Sequence, residues 1–441
     1  MEREMKDYRE FLCQNCLPIA DELVSGEGCV ICDINGKEYI DCCSQTLNLS
    51  LGQCNEKINK AVKRQIDKLT FASSRFGSDV QMELVKKIMS ITPNSLNRIN
   101  LKNTSGSSAN ENAIKAARKK HGKQRVISLM HSHHGQTHEM MRISGKHFDK
   151  AYLDKSDVFF ADLPYCFRCE QSGADCQFKC LNSLFENVDL FKKDFCCMII
   201  EPIMVDAGVI IPPKKYHEKI RELCDLCDIA LIYDEIQTGF GWLGTFFAMD
   251  YYDVTPDIVT MGKGLGAGFP ISACLMKEEY DVLTYGEHEI TYGAHPVSLV
   301  SSIENIKYLE NGGLDDVNEK SHYCKQRFWQ LKENHACIGD IRGIGLLFGI
   351  EFVDDNNNPD SRVARYVYNQ LLDNGILLRI SKVGANSNIL QFKPPLIISK
   401  DQIDKVMESI DFTLTELERL ESNKKVVTRI QNSAISQISG A

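Results

Sequence analysis

Three features of the chain could do chemistry together. Lys263 stands in Met261-Gly262-Lys263-Gly264-Leu265-Gly266-Ala267-Gly268, where glycines clear side chains from around one amine and let a bulky group approach. Glu201 follows the apolar run Phe195–Ile200, and Asp234-Glu235 follow the run at 229–233. The stretch Asn103-Thr104-Ser105-Gly106-Ser107-Ser108-Ala109-Asn110-Glu111 opens an Ala-rich helical segment ending near Lys120. Ser108 and Glu111 have the spacing of a capping box, and free N–H groups beside Gly106 and Ser107 make a cradle for phosphate. Each feature alone has a plain explanation: a capped helix without ligand, a loop lysine in solvent, and Asp234 as a helix N-cap. Together they are the parts of a pyridoxal phosphate site. A lysine can hold the cofactor's aldehyde as a Schiff base. A carboxylate can keep the pyridine nitrogen protonated, so that the ring accepts carbanion electrons.

These residues act only if the chain brings them to one place. Ile58, Val62, Ile66 and Leu69 recur at helical spacing, as do Leu84, Val85, Ile88 and Met89, and Tyr216, Ile220, Leu223, Cys224 and Cys227. Cys224 and Cys227 form a C-x-x-C, but their place on an apolar face predicts core. Apolar runs at 126–130, 195–200, 229–233, 257–261 and 271–276 are too short for helices and alternate with helical segments. That alternation predicts an α/β fold whose mostly parallel sheet is buried on both faces. Ligands bind such sheets at the carboxyl ends of the strands, where Glu201, Asp234 and Lys263 fall. Past Gly312-Gly313 a polar helical stretch runs to Asn334, followed by alternating segments at 346–352 and 389–398, which predicts a smaller α+β unit. The expected division is an N-terminal segment 1–50 joining the small domain, a large cofactor-binding domain 51–315 and a C-terminal small domain 316–441. The polar end, 420–441, is expected to fray.

Composition bounds the function. The 441 residues are 43% hydrophobic and 25% charged, which excludes a disordered or low-complexity chain. Lys and Arg total 51 against 60 Asp and Glu, and a net charge of -9 disfavours nucleic acid. Met1 to Asp7 hold no apolar core for a signal peptide, and no apolar run approaches the ~18 residues of a membrane span, so a soluble cytoplasmic protein is expected. Most of the 18 cysteines then read as buried thiols in a reducing compartment. Cys166, Cys169, Cys176 and Cys180 differ: C-x2-C-x6-C-x3-C in a polar stretch could hold zinc or an iron–sulfur cluster, or simply form a thiol-lined loop without metal. His131, His133, His134 and His138 follow a strand, so a loop with one cofactor-facing imidazole is expected rather than a metal site.

Leu231-Ile232-Tyr233-Asp234-Glu235-Ile236-Gln237-Thr238-Gly239-Phe240-Gly241, then Pro256-Asp257-Ile258-Val259 and Gly262-Lys263-Gly264, resemble the signature of the class III aminotransferases. These are fold-type I pyridoxal-phosphate enzymes related to ornithine and gamma-aminobutyrate aminotransferases. The resemblance extends from Gly36-Lys37-Glu38-Tyr39-Ile40-Asp41 to Pro394-Pro395-Leu396. It implies that Lys263 is the Schiff-base lysine and proton shuttle, that Asp234 partners the ring nitrogen, and that Gln237 bonds the ring hydroxyl. It further implies that Gly106 and Ser107 form the phosphate turn, and that Thr291 reaches the phosphate of a neighbouring subunit in a homodimer. The implied reaction moves an amino group from a small-molecule amine donor to a keto or aldehyde acceptor. An epimerase or lyase on the same scaffold is the nearer alternative, and a non-catalytic scaffold the more distant one.

Three positions depart from the family pattern. His133 stands where a tyrosine or phenylalanine usually stacks on the cofactor. Gln391 stands where an arginine usually reads an α-carboxylate, and it offers an amide but no cation. Asp206, after Glu201, stands where a second glutamate can pair with that arginine; with Gln391 opposite, the gate is expected to have lost its purpose. Arg379 and Lys393 could compensate from other positions. The expected substrates therefore include a terminal amine or an amino sugar, with Glu201, Asp206 and Gln391 as the substrate-side residues.

Overall fold

The computed structural model describes residues 12–16, 22–73, 75–170, 173 and 176–438; the opening Met1 to Asp7 and the last residues of the chain lie outside that set. Its central sheet has seven strands: β1 (Arg98–Asn103), β2 (Arg125–Leu129), β3 (Val158–Ala161), β4 (Phe195–Ile200), β5 (Ala230–Asp234), β6 (Ile258–Met261) and β7 (Ser272–Met276). Their order is β1-β7-β6-β5-β4-β2-β3. β3, β2, β4, β5 and β6 pair in parallel, whereas β7 is antiparallel to both its neighbours. The strands β4, β5, β6 and β7 are buried at every position, which is why they read as unbroken apolar runs. β1 and β3 carried no such signal because each is a half-buried edge strand.

Helices cover the sheet. In α1 (Gly106–His121) the face Ala109, Ala113, Ala116 and Ala117 is buried, small residues that let the helix approach the strands closely. Its start differs from the sequence expectation. The N-cap is Ser105, not Ser108: Ser105 Oγ accepts from Ser108 N at 3.2 Å, and Ser108 Oγ accepts from Ser105 N at 3.2 Å. Serine at the third helical position does the work assigned to Glu111, so the helix begins one turn earlier and Gly106 is its first residue. Helix α2 (Lys214–Cys227) buries Tyr216, Ile220, Leu223, Cys224 and Cys227 as core. The helix Glu56–Lys68 buries Ile58, Ala61, Val62 and Gln65, leaving Ile66 49% and Leu69 39% exposed, so the expected stripe is rotated by one residue.

Beyond helix α3 (Pro296–Tyr308) and helix α4 (Leu314–Asn334), the strands Ile338–Ile344, Leu347–Phe352, Asn386–Phe392 and Arg379–Val383 form a four-stranded antiparallel sheet in that order. A second small sheet joins Leu23–Glu27, Val30–Asp33 and Glu38–Asp41 to Ile376–Leu377, so the first strands pack with the late part of the chain. The last helix runs Lys400–Ile438, continuing where fraying was expected from 420. Among the described residues no helix is long and apolar enough to cross a membrane.

The segment Ser44–Leu47 is strained. Ser44, Gln45, Thr46 and Leu47 all have φ between 45° and 65°, a left-handed turn built without glycine. The buried Asp41 carboxylate holds it by accepting from Cys43 N at 2.9 Å and Gln45 N at 3.0 Å. Such strain persists only where the surroundings over-determine it, and it concentrates at functional sites. Asn48, just past the turn, lines the cavity described next.

Candidate active site

A cavity of about 360 Å³ opens at the carboxyl ends of β4, β5 and β6. Lys263, Asp234, Gln237, His133, Gly106 and Ser107 all line it. Parallel strands end together here, which brings residues far apart in sequence to one rim.

Asp234 is 3% exposed at the end of β5. Its Oδ2 accepts from His134 Nδ1 and from Asn110 Nδ2, each at 2.8 Å, while its Oδ1 accepts from Ile236 N at 3.2 Å. The residues after Asp234 form a turn and no helix, so the N-cap explanation falls away. Glu235 points elsewhere: its carboxylate accepts from Ala248 N at 2.7 Å and Met249 N at 2.8 Å, and burial pushes it up to about 7. Glu201 is buried, and its carboxyl accepts from His133 N at 2.8 Å and Gln237 Nε2 at 3.3 Å. Burial, helped by the nearby Asp234 charge, raises it well above the usual carboxylate range.

Lys263 has φ 42°, a left-handed backbone for a residue with a side chain. The loop is locked around it. Asn305 Nδ2 donates to Gly264 O at 2.8 Å, and a Cβ at Gly264 would meet the Trp242 ring at 2.4 Å. Burial holds the Lys263 amine below its ordinary value, against the opposing pull of Asp206, Asp234 and Glu201. A lowered affinity for its proton makes the amine a readier nucleophile.

The N-terminus of α1 forms the other wall. A Cβ at Gly106 would lie 2.8 Å from Ile236 Cδ1, and one at Gly135 only 2.1 Å from Ser107 Oγ. Gly135 also has φ 135°, so backbone can approach there as no other residue allows. Ser107 Oγ accepts from Gln136 N at 3.1 Å. A buried carboxylate, a lysine freed by glycines and a helix N-terminus with no side chain in the way fit pyridoxal phosphate: its ring nitrogen to Asp234, its aldehyde to Lys263, its phosphate to α1. His133 lines the same cavity with its Nδ1 unpartnered, and burial holds its imidazole down at about 4. It is therefore a neutral ring at physiological pH. Thr291 does not share this cavity; it is exposed, beside Tyr292, which is 64% exposed and packs edge-on against Phe71 with ring centroids 5.6 Å apart.

Sequence reasoning missed Asn110 and the role of His134. Asn110, four residues into α1 from Gly106, is fully buried, donates to His134 O at 2.8 Å and accepts from Thr260 Oγ1 at 2.6 Å, besides holding Asp234. The available signal was an amide one turn inside an Ala-rich buried face, where polarity needs a partner. Asn110→Ala leaves Thr260 and Asp234 each short of a partner, so a loss of about 1–3 kcal/mol is expected. Chemical denaturation of the purified chain measures it.

The substrate side corrects one expectation. Asp206 has kept an arginine: it pairs with Arg379 Nη2 at 3.0 Å and with Lys146. Although burial opposes its charge, Arg379 and Lys146 together hold the carboxyl well below the usual range. Arg379 lies directly across from Gln391 on the neighbouring strand, so the cation has moved one strand sideways. Gln391 is fully buried; its Nε2 donates to Val205 O and its Oε1 has no partner.

Cys166, Cys169, Cys176 and Cys180 are all partly exposed thiols, and among the described residues no three His, Cys, Asp or Glu side chains are placed to hold a metal. Their loop is tied to the four-stranded antiparallel sheet instead: Arg168 Nε donates to Glu351 at 3.0 Å, and Arg342 Nη1 to the same carboxylate at 2.8 Å.

Comparison with known proteins agrees with this geometry. The chain matches the family described as Aminotransferase class-III over residues 16–414. It is 31% identical to the acetylornithine aminotransferase of Caldanaerobacter subterraneus subsp. tengcongensis, covering 90% of this chain and 95% of that protein. It is 30% identical to the leucine/methionine racemase of Thermococcus litoralis, with 90% of each chain covered. Its fold matches the taurine:2-oxoglutarate aminotransferase of Bifidobacterium kashiwanohense, solved with pyridoxal phosphate and glutamate, at a TM-score of 0.84 and 25% identity over 93% of this chain and 97% of that one. With a buried acid, a glycine-flanked lysine and a helix-end cradle around one cavity, and a family match over nearly its whole length, the chain belongs to the class III aminotransferases, which use pyridoxal phosphate.

Proposed function

We propose that this aminotransferase takes its amino group from a terminal amine or an amino sugar and passes it to a keto or aldehyde acceptor. The observation that carries the donor reading is Gln391: it is fully buried and tied to Val205, and the arginine opposite it, Arg379, is already paired with Asp206 rather than left free to read an α-carboxylate. Bound pyridoxal phosphate supplies an aldehyde and an electron-accepting ring. The rest of the chemistry belongs to the chain. Lys263 Nζ would hold the aldehyde and, once free, would move a proton to and from the substrate carbon. Asp234, oriented by His134 and Asn110, keeps a proton on the ring nitrogen. Gln237, steadied by Glu201, would bond the ring hydroxyl, and His133, which lines the same cavity, would offer its ring to the cofactor's face. The α1 N-terminus with Gly106 and Ser107 takes the phosphate, and Thr291 reaches the phosphate of a second subunit from an exposed turn, in a cytoplasmic homodimer.

A screen of amine donors against pyruvate and 2-oxoglutarate, followed at the cofactor's absorbance, tests the donor. ω-Amines or amino sugars should outperform ordinary α-amino acids. Strong preference for α-amino acids in both half-reactions contradicts it. The racemase among the relatives favours a second reading, amino-acid epimerisation. An epimerase turns over without any keto acceptor, whereas a transaminase given donor alone stops after one equivalent of cofactor has taken up the amino group.

A further inference from the structure

A second cavity, of about 500 Å³, has no part in the chemistry described so far. Three segments build it: His131 in the loop after β2, then Lys146, His147 and Lys150 from the turn at 145–150, and Gly384 with Ala385 after the strand Arg379–Val383. Each segment also reaches the substrate side of the active site. His133, two residues past His131, lines the catalytic cavity. Lys146 and Arg379 both pair with Asp206. A Cβ at Gly384 would lie 3.8 Å from His131 Cε1, so two of the segments also meet each other. The partition between the cavities is one pair of rings thick. His133 and His147 pack edge-on, with centroids 6.1 Å apart and planes at 70°.

The side chains around this cavity lack partners. His133 Nδ1 and His147 Nε2, one from each ring of the partition, are buried without a hydrogen bond. Among the described residues, the side chains of His131 and Lys150 make no hydrogen bond or ion pair. Buried polar nitrogen is normally satisfied, and where the chain supplies no partner a ligand can. Charge adds a direction. Lys146 and Arg379 share the single carboxylate of Asp206, which leaves one positive charge over, and Asp149 in the cavity wall offsets Lys150. Burial holds His147 below its ordinary value; Lys146 and Lys150 push the same way, while Asp149 and Asp206 oppose. The cavity is rich in N–H donors and positive by one charge, which suits an oxyanion. A carboxylate presents two oxygens, whereas phosphate presents three to the donors of His131, His147 and Lys150.

We propose that this cavity is the subsite for a phosphate group at the far end of the amine donor, held by His131, His147 and Lys150, with the donor's chain lying across the edges of the His133 and His147 rings. This rests on the terminal-amine reading and narrows it: the donor is a phosphorylated amine, an amino sugar phosphate included. His131, His147 and Lys150 are specificity-determining residues, remote from the reacting atoms.

The test uses holoenzyme and three donors with the same amine and chain: 6-aminohexyl phosphate, 6-aminohexanoate and 6-aminohexanol. Six carbons, at roughly 1.2 Å per bond, exceed the 6.1 Å between the ring centres. The phosphate donor's kcat/KM should exceed that of the alcohol by at least about tenfold, with the carboxylate between them. Lys150→Met and His147→Gln should each lower the phosphate-to-alcohol ratio by about fivefold or more. The ratio cancels any general loss of activity, because both donors undergo the same chemistry. A ratio near one in the unmodified enzyme, a ratio that neither substitution lowers, or a carboxylate donor that outruns the phosphate overturns the assignment. Hexyl phosphate, which has no amine, separates the subsite from the reading it rests on. By titration calorimetry it should bind the unmodified holoenzyme, and bind Lys150→Met at least about fivefold more weakly. If no terminal amine converts the cofactor, the donor reading fails and this titration alone decides the subsite. Equal affinity for the two proteins, or no binding to either, then sinks it.

Discussion

Lys263→Ala is expected to lose transfer activity by about 10⁴-fold or more, together with the visible absorbance of lysine-bound cofactor. Positioned proton transfer alone contributes roughly 10²–10⁴-fold, and this amine has a second duty in holding the aldehyde. The fold should tolerate the change. Burial depresses the Lys263 amine, so the folded chain disfavours its proton; that penalty is present below the ordinary lysine value and disappears above it. Removing the amine therefore removes a cost at neutral pH. The loop remains anchored by Asn305 on Gly264 and by the Trp242 ring. The phosphate cradle on α1 does not involve Lys263, so the variant should still bind cofactor without the covalent bond. Absorbance spectra, cofactor content and thermal melting separate these outcomes. Turnover retained in Lys263→Ala would remove the central role assigned here.

What was legible in the sequence follows from where each residue sits. Lys263, Asp234 and Gln237 were readable because each belongs to a short segment beside a fully buried strand, where apolar runs end abruptly in polar side chains. The central strands were readable for the same reason, and the half-buried edges β1 and β3 were not. Asn110 and His134 act on Asp234 from 124 and 100 positions away, a contact that spacing along the sequence cannot express. Arg379 illustrates the limit best. Counting from the Pro394-Pro395 pair finds Gln391 and reports a lost cation. Only the strand register places Arg379 beside it and on Asp206. The left-handed turn at Ser44–Leu47 gave no warning either, because its residues are not the glycines that usually mark such a backbone.

Asp234→Asn should lower kcat by about 10²- to 10³-fold while the cofactor stays bound. A nearby opposite charge shifts a titrating group by roughly 1–3 pKa units, each worth a factor of ten in the population of the protonated ring nitrogen. Asparagine has the same shape but no charge to hold that proton. It also disturbs the hydrogen bonds. Oδ2 of Asp234 receives two donors, His134 Nδ1 and Asn110 Nδ2, and Oδ1 receives Ile236 N. An amide oxygen can serve one of these positions, so its NH₂ must face a donor at the other, and a modest loss of stability accompanies the loss of rate. Asp234→Ala makes the charge argument separable. It leaves space beside the ring nitrogen, so a cofactor analogue methylated there, carrying a permanent positive charge, should recover part of the lost rate in Asp234→Ala and none in Lys263→Ala. A variant with full kcat on the ordinary cofactor would show that the Asp234 carboxylate serves only to order His134 and Asn110.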